Sequence, residues 1–290
     1  SESSGSTFSS HARLDGMTDG DLSIEEKRVF SSKAGKPEAF VAAGVGCVVV
    51  DVSGDLVGGF RVDHHCTARD VAGRDGRIAV ATDEDVLLAP GYEATGFGPA
   101  GGVGLTADEV VAVGEDGRVG RLGFDAALDG ASWRTVGSVD DPRAVDGRLI
   151  AAEDGVFRVS DRDLRHTGLD DVRDVAAAGP FAATGTGLFY LGNGWMVVEA
   201  GAWDVVDAAP DGRAHAVGAP GIRRRTERDG GEWRTVDRTD LATDETPIEF
   251  AYGDDVVCAI TGEGTFLVDA GDGSRTQALG LRDVGGVAIP

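Results

Sequence analysis

The densest group of reactive side chains in this sequence is His64-His65-Cys66, directly after Asp63. These residue types could bind a metal ion, or Asp63 could orient an imidazole that activates the Cys66 thiol as a nucleophile. Adjacent residues of an extended segment point to opposite sides, so the two imidazoles cannot easily share one metal. The alternative interpretation is a loop in which both histidines pack and hydrogen-bond locally.

A second set of candidates repeats along the chain as an Arg-Asp pair. The pairs are Arg69-Asp70, Arg173-Asp174 and Arg282-Asp283, and Asp204 takes the corresponding place after Trp203. Neighbouring strand residues face opposite ways, so one member of each pair could line the mouth of a central channel, where a ring of Asp would attract a cation or a basic side chain. The structural alternative is that each Asp accepts backbone N–H groups while each Arg pairs with an acid of the next repeat.

A third candidate is Arg223-Arg224-Arg225, the one basic stretch of an acidic chain. Guanidinium groups suit carboxylates and phosphates, so this stretch could recognise an anionic partner. Alternatively, arginines on an exposed outer strand pair with the nearby acids Glu227, Asp229 and Glu232.

The remaining reactive side chains are scattered. Cys47 and Cys258 lie in apolar strand-like runs and are predicted to be small buried hydrophobes. His166 and His215 are solitary and are expected to pack rather than to catalyse. No HExxH, CxxC or phosphate-loop motif is present in the sequence, so we assign no catalytic residue, no metal ligand and no cofactor.

These candidates must be positioned by a repeated unit of an apolar strand, a tight Gly/Asp turn and a second apolar strand. The unit recurs about every 36 residues, which is enough for four short strands and their turns. Its seven copies lie at residues 40–47, 78–86, 111–118, 149–156, 181–188, 215–222 and 257–265. Because no long stretch has helical periodicity, the repeat favours a β-propeller over a helical solenoid.

The two ends of the chain predict how the propeller closes. Residues 282–290 look like an innermost strand without a following hairpin, whereas the hairpin at residues 40–50 has no such strand before it. Joining them removes the sheet edge that an open β array must protect. We therefore predict an all-β fold, a β-propeller of seven four-stranded blades closed by pairing of the C-terminal strand with the N-terminal blade. Six or eight blades are the alternatives.

The N-terminal residues differ from the rest. Residues 1–24 are rich in Ser, Gly and Asp and lack a hydrophobic signal core. We expect a disordered N-terminal extension or tag over 1–24, followed by a single propeller domain over 25–290.

The charge balance indicates the environment. There are 50 acidic and 27 basic residues, for a net charge of −23, and the acids are spread along the whole chain. Such self-repulsion is tolerable where salt screens it strongly, so we predict a halophilic cytoplasm. No basic face is available for nucleic acid, and no apolar run reaches the ~18 residues needed to cross a bilayer. We expect neither a nucleic-acid nor a membrane partner.

One resemblance covers most of the chain. The sequence of residues 66–85, with Glu25-Glu-Lys-Arg-Val29 upstream, resembles an uncharacterised haloarchaeal β-propeller family from about residue 24 to the end. This resemblance implies the propeller fold and a saline cytoplasm. The family has no assigned activity, so it implies no catalytic residues.

The function predicted from these observations is a non-enzymatic interaction platform that binds a protein or peptide partner on one propeller face. The alternative is an enzyme or a metal or small-ligand binder at the channel mouth, hydrolase-like in its chemistry. Its candidate residues are His64, His65, Cys66 and the ring of Asp.

Overall fold

The structure is a computed structural model that describes residues 37–290 except for 125–131, 228–229 and 272. The predicted disordered segment 1–24, and the first residues of the predicted propeller domain, lie outside the described residues. The described chain forms seven four-stranded sheets, each antiparallel throughout. The predicted seven-bladed β-propeller is therefore confirmed.

The strands of each blade are given in order from the innermost to the outermost. Blade 1 consists of β28 (Gly286–Ala288), β1 (Glu38–Ala43), β2 (Gly46–Ser53) and β3 (Leu56–His64). Blade 2 consists of β4 (Ala68–Arg74), β5 (Arg77–Thr82), β6 (Val86–Leu88) and β7 (Glu93–Ala94). Blade 3 consists of β8 (Ala100–Leu105), β9 (Glu109–Gly114), β10 (Arg118–Gly123) and β11 (Arg134–Ser138). Blades 4 and 5 consist of β12 (Pro142–Asp146), β13 (Leu149–Ala152), β14 (Gly155–Val159) and β15 (Leu164–His166); and β16 (Val172–Ala176), β17 (Phe181–Thr184), β18 (Gly187–Leu191) and β19 (Trp195–Ala200). Blades 6 and 7 consist of β20 (Trp203–Ala208), β21 (Ala214–Gly218), β22 (Gly221–Arg225) and β23 (Trp233–Val236); and β24 (Pro247–Tyr252), β25 (Val257–Thr261), β26 (Thr265–Asp269) and β27 (Ser274–Ala278).

The repeated strand–turn–strand unit forms the second and third strands of every blade. In blade 1 the turn ends at Gly46, whose φ is 135°. A Cβ atom on Gly46 would overlap the backbone carbonyl of His64 in β3, so both the backbone conformation and the close approach require glycine there.

The propeller closes through β28, which pairs antiparallel with β1 and places Val287 opposite Val41. This confirms the predicted closure between the two ends of the chain. The closing strand is three residues long, however, and does not extend over residues 282–290. The residues before Gly286 instead form a loop, in which the Arg282 carbonyl accepts a hydrogen bond from the Gly44 N–H at 3.0 Å.

The core consists of seven hydrophobic clusters, one between each pair of neighbouring blades. In the cluster between blades 5 and 6, Trp203 is fully buried together with Leu188. Cys47 and Cys258 are buried in other clusters, as predicted. A fully buried Val or Leu stabilises the fold by roughly 1.5–3 kcal/mol, so the blades are held together largely by their flat apolar faces. No helix in the described part of the chain is both long and apolar enough to span a membrane.

The connections lie on two faces. One face, named the mouth face here, carries the loops that lead into each innermost strand and the turns between second and third strands. The opposite face carries the turns between first and second strands and between third and fourth strands. The longest described mouth-face loop, between β23 and β24, contains a short 3-10 helix (Arg238–Leu241).

Candidate functional site

A β-bulge near the start of the innermost strands decides which side chains face the channel. In β4, Ala68 pairs with Thr82 and Asp70 with Ala81, so Arg69 is the extra residue of the bulge. In β16 the extra residue is Arg173, between Val172 and Asp174. The bulge turns the arginine toward the mouth face and the following aspartate into the channel.

The two channel aspartates connect neighbouring blades. Asp70 Oδ2 accepts the Val103 N–H of blade 3 at 2.8 Å, and its Oδ1 accepts the N–H of Val71 at 2.8 Å. Asp174 repeats this arrangement with Val206 of blade 6 at 2.7 Å and with Val175 at 2.8 Å. Both oxygens of each carboxylate therefore accept backbone hydrogen bonds, as in the structural alternative.

Three further channel carboxylates were missed by the sequence analysis. Asp146 accepts the N–H of Ala177 at 2.7 Å, Asp207 that of Phe250 at 2.9 Å, and Glu249 that of Val287 at 2.8 Å. Each of these bonds also reaches the next blade. In β20, Val205 takes the position that Asp70 holds in β4. Asp207 lies two residues later, and because side chains of a strand alternate, Asp207 faces the channel as well. This alternation was the sequence signal from which Asp207 could have been predicted.

The channel environment favours the neutral form of these five acids. Protein surrounds each carboxyl group while some of its surface still contacts the channel, and this desolvation raises the pKa of Asp70 to about 6 and that of Asp174 to about 7. Burial also raises the pKa of Asp146, and it raises the pKa values of Asp207 and Glu249 well above the ordinary range. Repulsion among the carboxylates adds to most of these shifts.

Of the predicted ring of Asp, Asp70 and Asp174 form bridges within the protein. Among the described residues, no group of three or more His, Cys, Asp or Glu side chains has the geometry to hold a metal ion. Both carboxylate oxygens of Asp70 and of Asp174 already accept backbone N–H groups, and the raised pKa values reduce the negative charge that a cation would need.

The bulge arginines form a rim of ion pairs on the mouth face. Arg69 pairs with Glu115 of blade 3, and Arg173 Nη1 lies 2.5 Å from Asp204 Oδ1 of blade 6. Arg143, at the same position of β12, pairs with Asp171 of blade 5 at 2.7 Å. As the structural alternative proposed, each arginine reaches an acid of the next blade.

Two of the predicted equivalences are wrong in register. Asp204 takes the place of the bulge arginines, because Trp203 is the first residue of the bulge in β20 and Val205 the last. It therefore lies on the rim and not in the channel. Arg282-Asp283 precedes β28 by several residues, and Gly286 takes the place of Asp70 in blade 1. Both residues of this pair are exposed.

The His64-His65-Cys66 segment leads from β3 to β4. His64 stacks on Tyr92 with ring centroids 4.6 Å apart, while His65 is exposed. Tyr92 donates a hydrogen bond to Asp63 at 2.8 Å. Burial raises the pKa of the Cys66 thiol, which disfavours the thiolate that nucleophilic catalysis needs. Local packing, the alternative interpretation, therefore holds for His64 but not for the exposed His65.

The basic stretch lies on β22, the third strand of blade 6. Arg223 makes two hydrogen bonds to Glu199 of blade 5, at 2.9 and 2.7 Å, and Arg225 donates to the carbonyls of Gly231 and Gly212. Arg224 is exposed. Arg223 thus pairs with an acid of the neighbouring blade, and Asp229, one of the nearby acids that the sequence suggested, lies outside the described residues.

The two solitary histidines differ. His215 is buried and stacks on Phe250 with ring centroids 4.5 Å apart, as expected for a packed side chain. His166, at the end of β15, is exposed but also packs, with its ring centroid 5.2 Å from that of Phe157, and it bonds through Nε2 to the Asp154 carbonyl.

The fold resembles that of several solved propellers. A computationally designed protein, Ika8, is 13% identical with a TM-score of 0.57, over 88% of this chain and 93% of that chain. The WD40 propeller domain of Doa1 is 14% identical with a TM-score of 0.55, over 74% of this chain and 83% of that chain. YCF48, in a structure bound to D1 peptide, is 14% identical with a TM-score of 0.53, over 73% of this chain and 83% of that chain. No curated protein sequence matches the chain.

A family model described as HVO_0234-like, beta propeller, matches residues 23–290, nearly the whole chain. The match begins close to residue 24, where the resemblance noted in the sequence also begins. With the seven-bladed architecture and the family match both in place, the chain belongs to the HVO_0234-like β-propeller family.

Proposed function

We propose that this protein is a non-enzymatic interaction platform of a high-salt cytoplasm, and that it binds a protein or peptide partner on its mouth face. The observation that carries the proposal is a pair of exposed apolar side chains, Val45 and Ile248, on either side of residues 282–286. Val45 is 43% exposed and Ile248 is 36% exposed. Ile248 takes the bulge position that arginine holds in blades 2, 4 and 5, and Val45 lies in the turn between the second and third strands of blade 1.

The contacts around these residues place them on the two sides of one segment. Gly44, next to Val45, donates to the Arg282 carbonyl, and a Cβ on Gly44 would lie 3.0 Å from the Asp283 carboxylate. Glu249, next to Ile248, bonds to the N–H of Val287. Blades 7 and 1 therefore present an apolar and charged surface together, and this combination is typical of a docking site.

The rim at blades 2, 4 and 5 differs from this surface. Arg69, Arg143 and Arg173 are held there in ion pairs with acids of the next blade. A partner would have to break these pairs to use the arginines, so the rim is less favourable for docking than the surface at blades 7 and 1.

The charge of the mouth face indicates the chemistry of the partner. Its turns between second and third strands, and its loops into the innermost strands, are rich in acids. Among them are Asp83, Glu84, Asp85, Glu115, Asp116, Asp140, Asp141, Glu153, Asp154, Asp170, Asp171 and Glu263. A segment with an apolar side chain flanked by Lys or Arg would complement this face. The structure of YCF48 bound to D1 peptide supports a peptide partner by analogy of fold alone.

The enzymatic alternative at the channel mouth has less support. The channel carboxylates already accept backbone hydrogen bonds, and Cys66 has a raised pKa. The fold and the mouth-face surface favour binding over catalysis.

The test is isolation of the tagged protein from a halophilic host in molar salt, followed by mass spectrometry of the proteins recovered with it. We expect a stoichiometric partner with the wild type and its loss with the Val45→Asp/Ile248→Asp double variant. The matched control is Leu56→Asp/Val197→Asp, which changes two exposed apolar residues of outermost strands. Loss of the partner with the control alone, or its retention with the mouth-face variant, would contradict the proposal.

A further inference from the structure

A cavity of about 100 Å³ lies between blades 6 and 7. Its inner walls are apolar side chains from both blades and from the 3-10 helix. They include Ile222, Leu241, Phe250, Ala259 and Leu267. Exposed polar residues line the entrance, among them Arg224, Thr235 and Asp240. The site is thus apolar inside and polar at its entrance, and a concave site of this kind suits a small molecule.

The one polar side chain buried in the wall is His215. Burial lowers the pKa of its imidazole to about 3, so the ring is neutral at physiological pH. A neutral imidazole donates through one nitrogen and accepts through the other, so its neighbours decide which nitrogen stays available.

A hydrogen-bond chain fixes the tautomer of His215. The Tyr252 hydroxyl donates to the Asp207 carbonyl at 3.0 Å, so its oxygen is left to accept a hydrogen bond. His215 Nδ1 lies 3.1 Å from that oxygen and must carry the proton. Nε2 is therefore the acceptor nitrogen of the ring.

His215 uses its Nδ1 within the protein and leaves its Nε2 for a ligand. In the described part of the chain, the hydrogen bond of the ring is the one between Nδ1 and Tyr252. His215 also lines the cavity. Nε2 is therefore the ring nitrogen that a ligand in the cavity would use.

We propose that this cavity binds a small, neutral, largely apolar molecule with one hydroxyl group, of the size and shape of a phenol. The ring would lie against Phe250 and Leu267, and the hydroxyl would donate to His215 Nε2. A cavity of about 150 Å³ holds benzene, so about 100 Å³ with an open entrance suits a body of about six carbon atoms. The entrance carries both a guanidinium and carboxylates, which favours a ligand without net charge.

The test is titration of the full chain in molar salt with phenol and with toluene, which has a similar shape but no hydroxyl donor. We expect phenol to bind about tenfold more tightly than toluene, as one hydrogen bond to a buried acceptor implies. The His215→Phe variant keeps an aromatic ring on Phe250 but leaves the phenol hydroxyl without an acceptor, so toluene should then bind more tightly than phenol. The Ala259→Met variant fills the cavity and should abolish binding of both probes.

A measurement on the unaltered protein covers the case in which a variant fails to fold. The ¹⁵N resonance of His215 Nε2 should move on addition of phenol and stay in place on addition of toluene. Equal affinity for the two probes, or a phenol-induced change at other residues only, would overturn the hydrogen-bond assignment. Failure of both probes to bind the wild type would overturn the site itself.

Discussion

Neighbouring innermost strands are joined in two different ways around the channel. Between blades 5 and 6, the Asp174 carboxylate spans the gap and accepts the Val206 N–H at 2.7 Å. Between blades 3 and 4, the strands approach so closely that a Cβ on Gly104 would lie 2.6 Å from the Gly147 carbonyl oxygen. A carboxylate occupies the first gap, whereas the second gap has no room even for a methyl group.

The difference shows what the channel carboxylates are for. Five interfaces carry an acid that reaches a backbone N–H of the next blade. At the two others, glycine allows direct approach, as Gly104 does between blades 3 and 4 and Gly285 between blades 1 and 2. A carboxylate therefore bridges neighbouring innermost strands that lie further apart, and glycine allows direct contact where the strands lie closer together. This is why a ring of acids need not indicate a cation or a catalytic centre.

The largest effect is expected where the strands are closest. Gly104→Ala places its methyl group against the Gly147 backbone and should lower the free energy of unfolding by about 3 kcal/mol or more, or prevent folding. The matched control is Gly101→Ala on the same strand, where no atom lies within 4 Å of the new methyl group. Guanidinium denaturation in high salt measures both, and equal stabilities would show that the close approach is not required.

The next effect concerns a carboxylate bridge. Asp174→Ala leaves the N–H groups of Val175 and Val206 without acceptors and should lower the free energy of unfolding by about 2–3 kcal/mol near pH 5, where the carboxyl group is largely neutral. Asp204→Ala removes a nearby rim carboxylate and should cost about 0–1 kcal/mol. Denaturation midpoints for the two variants test this order, and a reversed order would remove the case for the bridge.

The bridge also predicts a dependence of stability on pH. The folded protein keeps the Asp174 proton up to about pH 7, whereas the unfolded chain releases it near the ordinary pKa of 3.8. Between these two pH values the folded state binds more protons than the unfolded state. The free energy of unfolding should therefore fall as the pH rises from about 4 to about 7, and Asp174 accounts for at most about 4 kcal/mol of that fall. Asp174→Asn should flatten this slope. Val175→Ala should lower stability at every pH and keep the wild-type slope, and an unchanged slope in Asp174→Asn would contradict the shifted pKa.

The smallest effect is expected at the rim. Arg173→Gln breaks the ion pairs with Asp204 and Asp171, which are largely exposed and are screened by molar salt. The free energy of unfolding should change by about 0–1 kcal/mol. A loss as large as that of Asp174→Ala in the same denaturation series would mean that the rim stabilises the contact between blades 5 and 6 as much as the channel bridge does.

The fold was predictable because its information is local and repeated. The seven hairpins each carry their own turn signal, and the unpaired strand-like segment at the C-terminus predicts its place beside β1. What the repeat could not predict was the exact start of that strand, since Arg282-Asp283 has the same sequence pattern as Arg69-Asp70 but lies in a loop.

The site was predictable only in part because its register depends on bulges. In β20 the extra residue of the bulge is Asp204, so Asp204 lies on the rim, whereas Asp207 lies in the channel. Glu249 was missed because it is a Glu without a preceding Arg, and its longer side chain still reaches the N–H of Val287. The tautomer of His215 depends on Tyr252, which is distant in sequence and is placed by the packing of blade 7 on blade 6.

A partner docked on the mouth face at blades 7 and 1 should slow hydrogen exchange there. Hydrogen–deuterium exchange is measured on the protein with and without the partner recovered in molar salt. We expect protection on binding at residues 44–46, 262–264 and 282–285, with little change in the turns of the opposite face. Protection confined to the opposite face or to the outermost strands would overturn the proposed docking surface.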